Sequence, residues 1–169
     1  MTFVTFNYDR VLEKYFDTVI ENMFGLAASD ASALRERAIP IIHLHGKIVK
    51  RDFGDYEESA VVGSLSSIAS EISVVHDTVP MNDPIFKQAF GAISRARLIC
   101  FLGFGYHPVN IERLRIHELA SDNVSIIGST YGMGEAEVRL AQGRLQRQLH
   151  ASSTSHKCRE FLRARAQLL

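Results

Sequence analysis

Short apolar runs alternate along the chain with longer segments in which apolar residues recur at helical spacing. The runs are rich in β-branched and aromatic residues and predict strands at 3–6, 39–46, 97–105 and 123–130. The periodic segments predict helices between Asp9 and Gly25, from Met81 to Ala96, from Pro108 to Leu119, from Gly134 to Leu149 and from Ser155 to Leu168. We also expect a charged loop at 50–62 and a helix at 64–75.

The strands and helices predict an α/β fold, because they alternate along the chain. Such a fold has a mostly parallel, Rossmann-like sheet flanked by helices. The run at 97–105 is almost wholly apolar, which is typical of a strand buried on both faces of a parallel sheet. The first helix carries an apolar stripe made of Val11, Leu12, Tyr15, Phe16, Val19, Ile20 and Met23. We expect one domain over 1–150, and then a C-terminal helix within 151–169 after a small linker, "ASSTS" at 151–155.

The composition excludes several classes of protein. The 169 residues suit one domain, and the formal net charge of zero gives no overall field to attract nucleic acid or an anionic membrane. Residues 135–169 nevertheless carry seven Lys or Arg against three Asp or Glu, which indicates a basic surface that faces solvent, an anion or a partner. Two cysteines without a C-x-x-C pair form neither a disulfide framework nor a cysteine zinc site. With no signal peptide, lipidation motif or long apolar run, we expect a soluble cytoplasmic protein.

Polar residues and glycines follow each predicted strand. The strand ends carry Asn7-Tyr8-Asp9, His43-Leu44-His45-Gly46, Gly103-Phe104-Gly105-Tyr106-His107 and Gly128-Ser129-Thr130. Ligands of open parallel sheets bind beyond the carboxyl ends of the strands, and glycines there let a ligand approach the backbone. Each feature also has a structural interpretation, since Asn7 and Asp9 can cap a helix and a strand-end histidine can be a hydrogen-bonded core residue. Four such ends in one chain favour a ligand site.

The motifs "TFNYD", "HLHG" and "FLGFGYHPVN", in that order, resemble the sirtuin family, and more closely its bacterial members that consume NAD. Sirtuins have an Asn-x-Asp element after one strand, a His-Gly after the next and a glycine-containing turn after a later one. The resemblance covers roughly residues 2–112. It implies a domain that binds NAD or ADP-ribose and hydrolyses the nicotinamide–ribose bond of NAD, as in bacterial anti-phage defence.

The resemblance also implies a role for each matching residue. Asn7 would orient the nicotinamide ribose and a water, Asp9 would lie near the nicotinamide amide, and His45 would be the general base. A neutral imidazole can take a proton from water, and an asparagine can hold that water without adding a charge. His43 ranks behind His45, because it lacks the adjoining glycine. Contacts with NAD are implied for Tyr8, Gly46, Gly103, Phe104, Gly105, Ser129 and Thr130.

The chain departs from the family pattern in two places. Sirtuin deacylases carry a four-cysteine zinc module, but residues 47–96 contain no cysteine, so we expect no zinc and favour protein deacylation less. The family also begins with a strand and a glycine-rich loop that cradles the pyrophosphate, and no such loop precedes Asn7. We therefore expect an incomplete N-terminus that is compensated by a missing segment or by homo-oligomerisation, and no meaningful NAD hydrolysis by this chain alone.

Two non-catalytic interpretations stay open beside the enzyme. A degenerate fold can hold NAD, ADP-ribose or another nucleotide without turning it over. The chain can also be a protein-interaction module that uses its sheet surface and its basic C-terminal helices. Release of nicotinamide from NAD separates the enzyme from both alternatives.

Overall fold

Parallel strands and the helices around them make up the described part of the chain. The computed structural model describes residues 1–46, 83–120 and 124–165. The loop expected at 50–62 and the helix expected at 64–75 lie outside these residues. The chain divides into two compact units, Met1–Ala89 and Phe90–Leu169, and the division falls within a helix.

The first unit contains a two-stranded sheet and two helices. Its elements are β1 (Phe3–Thr5), α1 (Val11–Phe24), α2 (Ala28–Ala38) and β2 (Ile41–His43). β1 and β2 run parallel, with Thr5 opposite His43 at the last position of each strand. The first two predicted strands and the helix that follows the first are confirmed. Parallel pairing in this register brings both carboxyl ends to the same edge of the sheet.

Helix α1 buries one residue of its predicted apolar stripe, Ile20, together with a carboxylate. Glu13 and Ile20 are its buried residues. The stripe residues Val11, Tyr15 and Met23 are instead 67%, 62% and 71% exposed. The inward face therefore carries a carboxylate, while part of the apolar stripe faces outward.

Helix α2 was not predicted, because its sequence "ASDASALRERA" offers almost no apolar stripe. Its buried residues are Ala31 and Arg35. The Arg35 side chain is buried, and its Nε donates a hydrogen bond to Asp17 Oδ1 on α1 at 2.7 Å. A buried guanidinium needs such a partner, since it has lost its hydration. An ion pair and small-residue packing thus hold this helix in place.

The second unit contains a three-stranded sheet. Its elements are α3 (Pro84–Ser94), which begins in the first unit, β3 (Leu98–Phe101), α4 (Pro108–Leu114), a 3₁₀ turn (Ile116–Glu118), β4 (Ser125–Gly128), α5 (Glu135–Leu145), β5 (Leu149–Ala151) and α6 (Cys158–Arg165). The strands lie in the order β3-β4-β5, and both pairings are parallel. The central strand is the buried one, with Ile126 and Ile127 at 0% and 1% exposure.

Among the described residues, the run 97–105 is not buried on both faces, so that expectation is wrong. β3 is an edge strand of its sheet among the described residues. Leu98, Ile99 and Cys100 are only half-buried, and Leu102 after the strand is 41% exposed. An edge strand has one neighbour to cover it, so its apolar side chains keep contact with solvent.

Two helices of the second unit end earlier than predicted. α5 stops at Leu145 instead of Leu149, because Gln146 adopts the left-handed conformation with φ of 50°. α4 stops at Leu114 instead of Leu119, because Arg115 does the same with φ of 52°. The chain released after α5 forms β5, so the predicted linker begins with a strand residue.

The fold class is confirmed: parallel strands flanked by helices form an α/β, Rossmann-like fold. In place of one sheet, the described residues form sheets of two and three strands. The final helix begins at Cys158, further along than Ser155. None of the helices in the described ranges has the length and apolar character that crossing a bilayer requires.

We expect Gly128→Ala to lower the free energy of unfolding by about 1–3 kcal/mol, which is typical of overpacking a core. A Cβ on Gly128 would lie 2.0 Å from the hydroxyl oxygen of Tyr106. The Tyr106 side chain is 1% exposed, so it cannot move aside without disturbing its neighbours. Urea unfolding of the parent and the variant measures the difference.

Gly143→Ala on α5 is the matched control, since its Cβ would meet nothing within 4 Å. It should leave stability unchanged or raise it by up to about 1 kcal/mol, the helix-propensity gain. Adding Tyr106→Phe to Gly128→Ala should recover part of the loss by removing the clashing hydroxyl. Equal unfolding midpoints for Gly128→Ala and the parent would contradict the close packing.

Candidate functional site

Asn7 and His45 follow neighbouring strand ends in the first unit. Thr5 and His43 are register partners in the parallel pair, and the amide of Leu44 donates to the Thr5 carbonyl at 2.9 Å. Asn7 lies two residues beyond Thr5, and His45 lies two residues beyond His43. The two predicted catalytic residues therefore leave the sheet at the same edge.

Asn7 has a fixed main chain and an exposed side chain. Its amide donates to Thr5 Oγ1 at 3.0 Å, and its carbonyl oxygen accepts from Nδ1 of His43 at 2.7 Å. The residue as a whole is exposed. A held backbone with a solvent-facing amide side chain is suited to contacting a ligand.

Asp9 lies two residues before α1, which begins at Val11 with Arg10 at its N-cap position. Its Oδ1 accepts a hydrogen bond from the Val11 amide at 3.0 Å, at the positive end of the helix. Asp9 and its neighbour Tyr8 are both exposed, Tyr8 by 48%. The carboxylate thus has a structural contact and still meets solvent.

The His45 ring packs between aromatic side chains of the first unit. It lies 5.4 Å from the Phe6 ring and 6.5 Å from the Phe86 ring, measured between centroids. His45 is 3% exposed, and Gly46 after it turns the chain with φ of 80°. The packing gives the imidazole one orientation, at the cost of most of its contact with water.

Sequence reasoning missed Glu13 as a partner of the strand-end histidines. Its Oε1 lies 2.9 Å from Nε2 of His43, and both side chains are buried. His43 is accordingly the hydrogen-bonded core histidine of the structural interpretation. The sequence does contain a sign of this contact, an acidic residue in the first helical turn after "NYD" that faces the "HLH" strand. The predicted apolar stripe assigned the inward face of the helix to other residues.

The glycine turn after β3 belongs to the second unit. The Gly103 amide donates to Ser129 Oγ at 2.9 Å, which joins this turn to the end of β4. Gly103 has φ of 60°, a conformation that favours glycine, and a Cβ on Gly103 or Gly105 would meet nothing within 4 Å. Open space beside two adjacent glycines fits the close approach of a phosphate or ribose to the backbone.

Three aromatic rings pack against one another at the glycine turn. Phe104 stacks on Phe101 with centroids 4.8 Å apart, and Tyr106 meets both rings edge-on. The Tyr106 hydroxyl donates to the Ser129 carbonyl oxygen at 3.3 Å. Burial, and to a lesser extent nearby Cys100, raises the pKa of the Tyr106 phenol, so the hydroxyl keeps its proton as a donor.

The Thr130 side chain is hydrogen-bonded within the protein. Its hydroxyl donates to the Ser152 carbonyl oxygen at 3.0 Å, and Thr130 is 1% exposed. These contacts connect the end of β4 to the chain after β5. The contacts of Thr130 and Ser129 with NAD that the resemblance implies stay predictions.

The predicted site residues thus fall into two local groups. Asn7, Asp9 and His45 surround the β1 and β2 ends of the first unit. Gly103 and Ser129 are joined at the β3 and β4 ends of the second unit. Over residues 1–46, 83–120 and 124–165, no three His, Cys, Asp or Glu side chains are grouped as metal ligands.

Comparison with known proteins identifies the family. A family model described as a SIR2-like domain matches residues 1–161. Neither the curated proteins nor the solved structures gave a match. The family match relates the function of the chain to NAD and agrees with the sirtuin-like motifs at the strand ends. Because the match spans nearly all of its length, the chain belongs to the SIR2-like domain family.

Proposed function

We propose that the chain is an NAD-processing domain that hydrolyses the bond between nicotinamide and ribose. The observation that carries the proposal is the shared edge of Asn7 and His45, set by the Thr5–His43 register in a SIR2-like chain. Water and NAD would yield nicotinamide, ADP-ribose and a proton. As the carbon–nitrogen bond at the ribose breaks, nicotinamide leaves with the bonding electron pair, and the water oxygen forms the new bond.

Three side chains of the first unit have separate roles in the proposed hydrolysis of NAD. Asn7 holds the ribose and the attacking water with its neutral amide, so no charge opposes the positive charge that builds on the sugar. His45 takes the proton of that water, a task suited to imidazole near neutral pH. Asp9 accepts a hydrogen bond from the nicotinamide carboxamide, and its exposure leaves room for that contact beside the helix cap.

The second unit contributes binding in this proposal. The Gly103 and Gly105 backbone would face the cofactor, because open space adjoins both Cα atoms. Phe104 and Ser129 keep the turn in place through the stacked ring and the 2.9 Å hydrogen bond. Tyr8 and Gly46, at the strand ends of the first unit, are the further NAD contacts in this proposal.

Non-catalytic binding of NAD or ADP-ribose is the second candidate, and the burial of His45 favours it. A general base has to come within hydrogen-bond reach of the water it activates. With 3% exposure between two aromatic rings, His45 meets little solvent in this conformation. Binding without release of nicotinamide would select this candidate.

We expect Asn7→Ala and His45→Gln each to remove most NAD hydrolysis by the natural full-length protein. A positioned general base is worth about 10²–10⁴ in rate. Glutamine keeps bulk at position 45 but cannot take the proton. Nicotinamide release, followed by chromatography, measures the rate, and circular dichroism checks the fold.

His150→Ala is the matched control, because His150 is an exposed histidine on β5. It should keep the parent rate. Parent rates in both Asn7→Ala and His45→Gln would show that the catalytic residues are misassigned. A parent protein that binds NAD and releases no nicotinamide would select the binding function.

We expect Gly105→Val to weaken NAD and ADP-ribose binding at least tenfold while leaving the unfolding midpoint nearly unchanged. Gly105 has no positive φ, and an added Cβ meets nothing within 4 Å, so the fold accepts a side chain there. If the open space belongs to the ligand, the new methyl groups fill it. Losing about 1.4 kcal/mol of binding free energy is a tenfold change in the dissociation constant.

Isothermal titration calorimetry with ADP-ribose measures this without requiring turnover. Gly143→Ala, which also adds carbon into open space, should bind as the parent does. Unchanged affinity in Gly105→Val would remove the glycine turn from the proposed site.

A further inference from the structure

Glu13 and His43 form a buried polar pair that the proposed chemistry does not use. Their side chains are 6% and 5% exposed, and the His43 ring also contacts the Asn7 carbonyl oxygen. The pair therefore links α1 and β2 to the residue that is proposed to hold the ribose and the water. Because the pair contacts Asn7, which is proposed to be catalytic, we consider a function for it beyond stabilising the fold.

The hydrogen bonds fix the number of protons in this pair. Nδ1 of His43 lies 2.7 Å from the Asn7 carbonyl oxygen, which can only accept, so Nδ1 carries a proton. Nε2 lies 2.9 Å from Glu13 Oε1, and a neutral ring has no second N–H to donate. One further proton must lie between Nε2 and Oε1.

Arg10 lies beside the same carboxyl group. Its Nε is 3.6 Å from the Glu13 oxygen that meets His43, so a guanidinium cation faces the pair. The Glu13 carboxyl group thus lies between Arg10 and the His43 ring, and its buried hydrogen bond to His43 holds one proton.

Both main-chain polar groups of Asn7 are tied by these contacts. Thr5 Oγ1 holds its amide at 3.0 Å, and His43 holds its carbonyl, while the residue is otherwise exposed. A rotation of the Asn7 main chain would break a hydrogen bond to the buried His43 ring. The position of the Asn7 backbone, from which its side chain projects, is therefore coupled to Glu13 through His43.

We propose that Glu13 and His43 are positioning residues, which hold the Asn7 main chain so that its amide side chain meets the ligand. The inference rests on the proposed function for its catalytic meaning, whereas the link from Glu13 to Asn7 can be measured without any turnover. Misplacing a catalytic group by about 1 Å can cost 10²-fold in rate. Residues that orient a metal ligand from behind contribute about 10–100-fold, and we expect an effect of the same order for the residues that orient Asn7.

The test compares disruptive and conservative variants of each residue in the full-length protein. Glu13→Ala and His43→Leu remove the pair. In Glu13→Gln the amide can donate to a neutral His43 ring, and in His43→Asn the side-chain amide can still donate to the Asn7 carbonyl. Glu21→Gln makes the same chemical change elsewhere on α1 and serves as the control.

We expect Glu13→Ala and His43→Leu to lower kcat for NAD by about 10–100-fold with little change in KM. The conservative variants should recover most of the rate, and Glu21→Gln should match the parent. A residue that only stabilises the fold would lower the unfolding midpoint without this rescue and without separating kcat from KM. Equal kcat in the parent and His43→Leu would overturn the positioning role.

The side-chain NH₂ signals of Asn7 in an ¹⁵N NMR spectrum supply the independent readout. They should shift or double in Glu13→Ala and His43→Leu, and stay near the parent positions in Glu13→Gln and His43→Asn. If the parent releases no nicotinamide, the proposed hydrolysis fails, yet these signals still decide the positioning. Unmoved Asn7 signals in His43→Leu would overturn it whatever the enzyme assay gives.

Discussion

His43 makes hydrogen bonds through both ring nitrogens, and these contacts organise the first unit. The two hydrogen bonds join the end of β2 to the loop after β1 and to the first turn of α1. Removing one partner of a buried ion pair costs about 3–5 kcal/mol. Once α1 has formed, Glu13 therefore stays on its inward side against His43, while Val11 and Tyr15 remain exposed.

The difference between apolar pattern and polar contacts explains which parts of this unit could be predicted from the sequence. The strands, the Gly25 helix end and the meeting of the two strand ends follow from apolar runs, turn residues and parallel pairing. The inward position of Glu13 on α1 and the existence of α2 do not, because each depends on a polar partner elsewhere. The role of Asp17 as an ion-pair partner can be recognised only when Arg35 is known to be buried against it. Hydrophobic periodicity records where apolar residues recur and says nothing about such partners.

In the second unit, the unpredicted features arise from backbone conformation. Nothing in the side chains of Gln146 and Arg115 marks them as left-handed, since glycine or asparagine is the usual choice there. Ending α5 early leaves enough chain for β5, and β5 then makes β4 the central, buried strand. The glycine turn was predicted correctly in position. Its attachment to Ser129 and the packing of Tyr106 over Gly128 required the sheet order.

Two of the proposed catalytic residues, Asn7 and His45, are held in physically different ways. Asn7 is fixed through its backbone and presents its side chain to solvent, whereas His45 is fixed through its ring and is buried. A group oriented during folding needs no reorganisation when the ligand arrives, which benefits binding and catalysis alike. The ordered Asn7 therefore serves either function. The proposed hydrolysis demands one thing more, a water within reach of His45, and the contacts of Phe6 and Phe86 with that ring leave it little access to solvent.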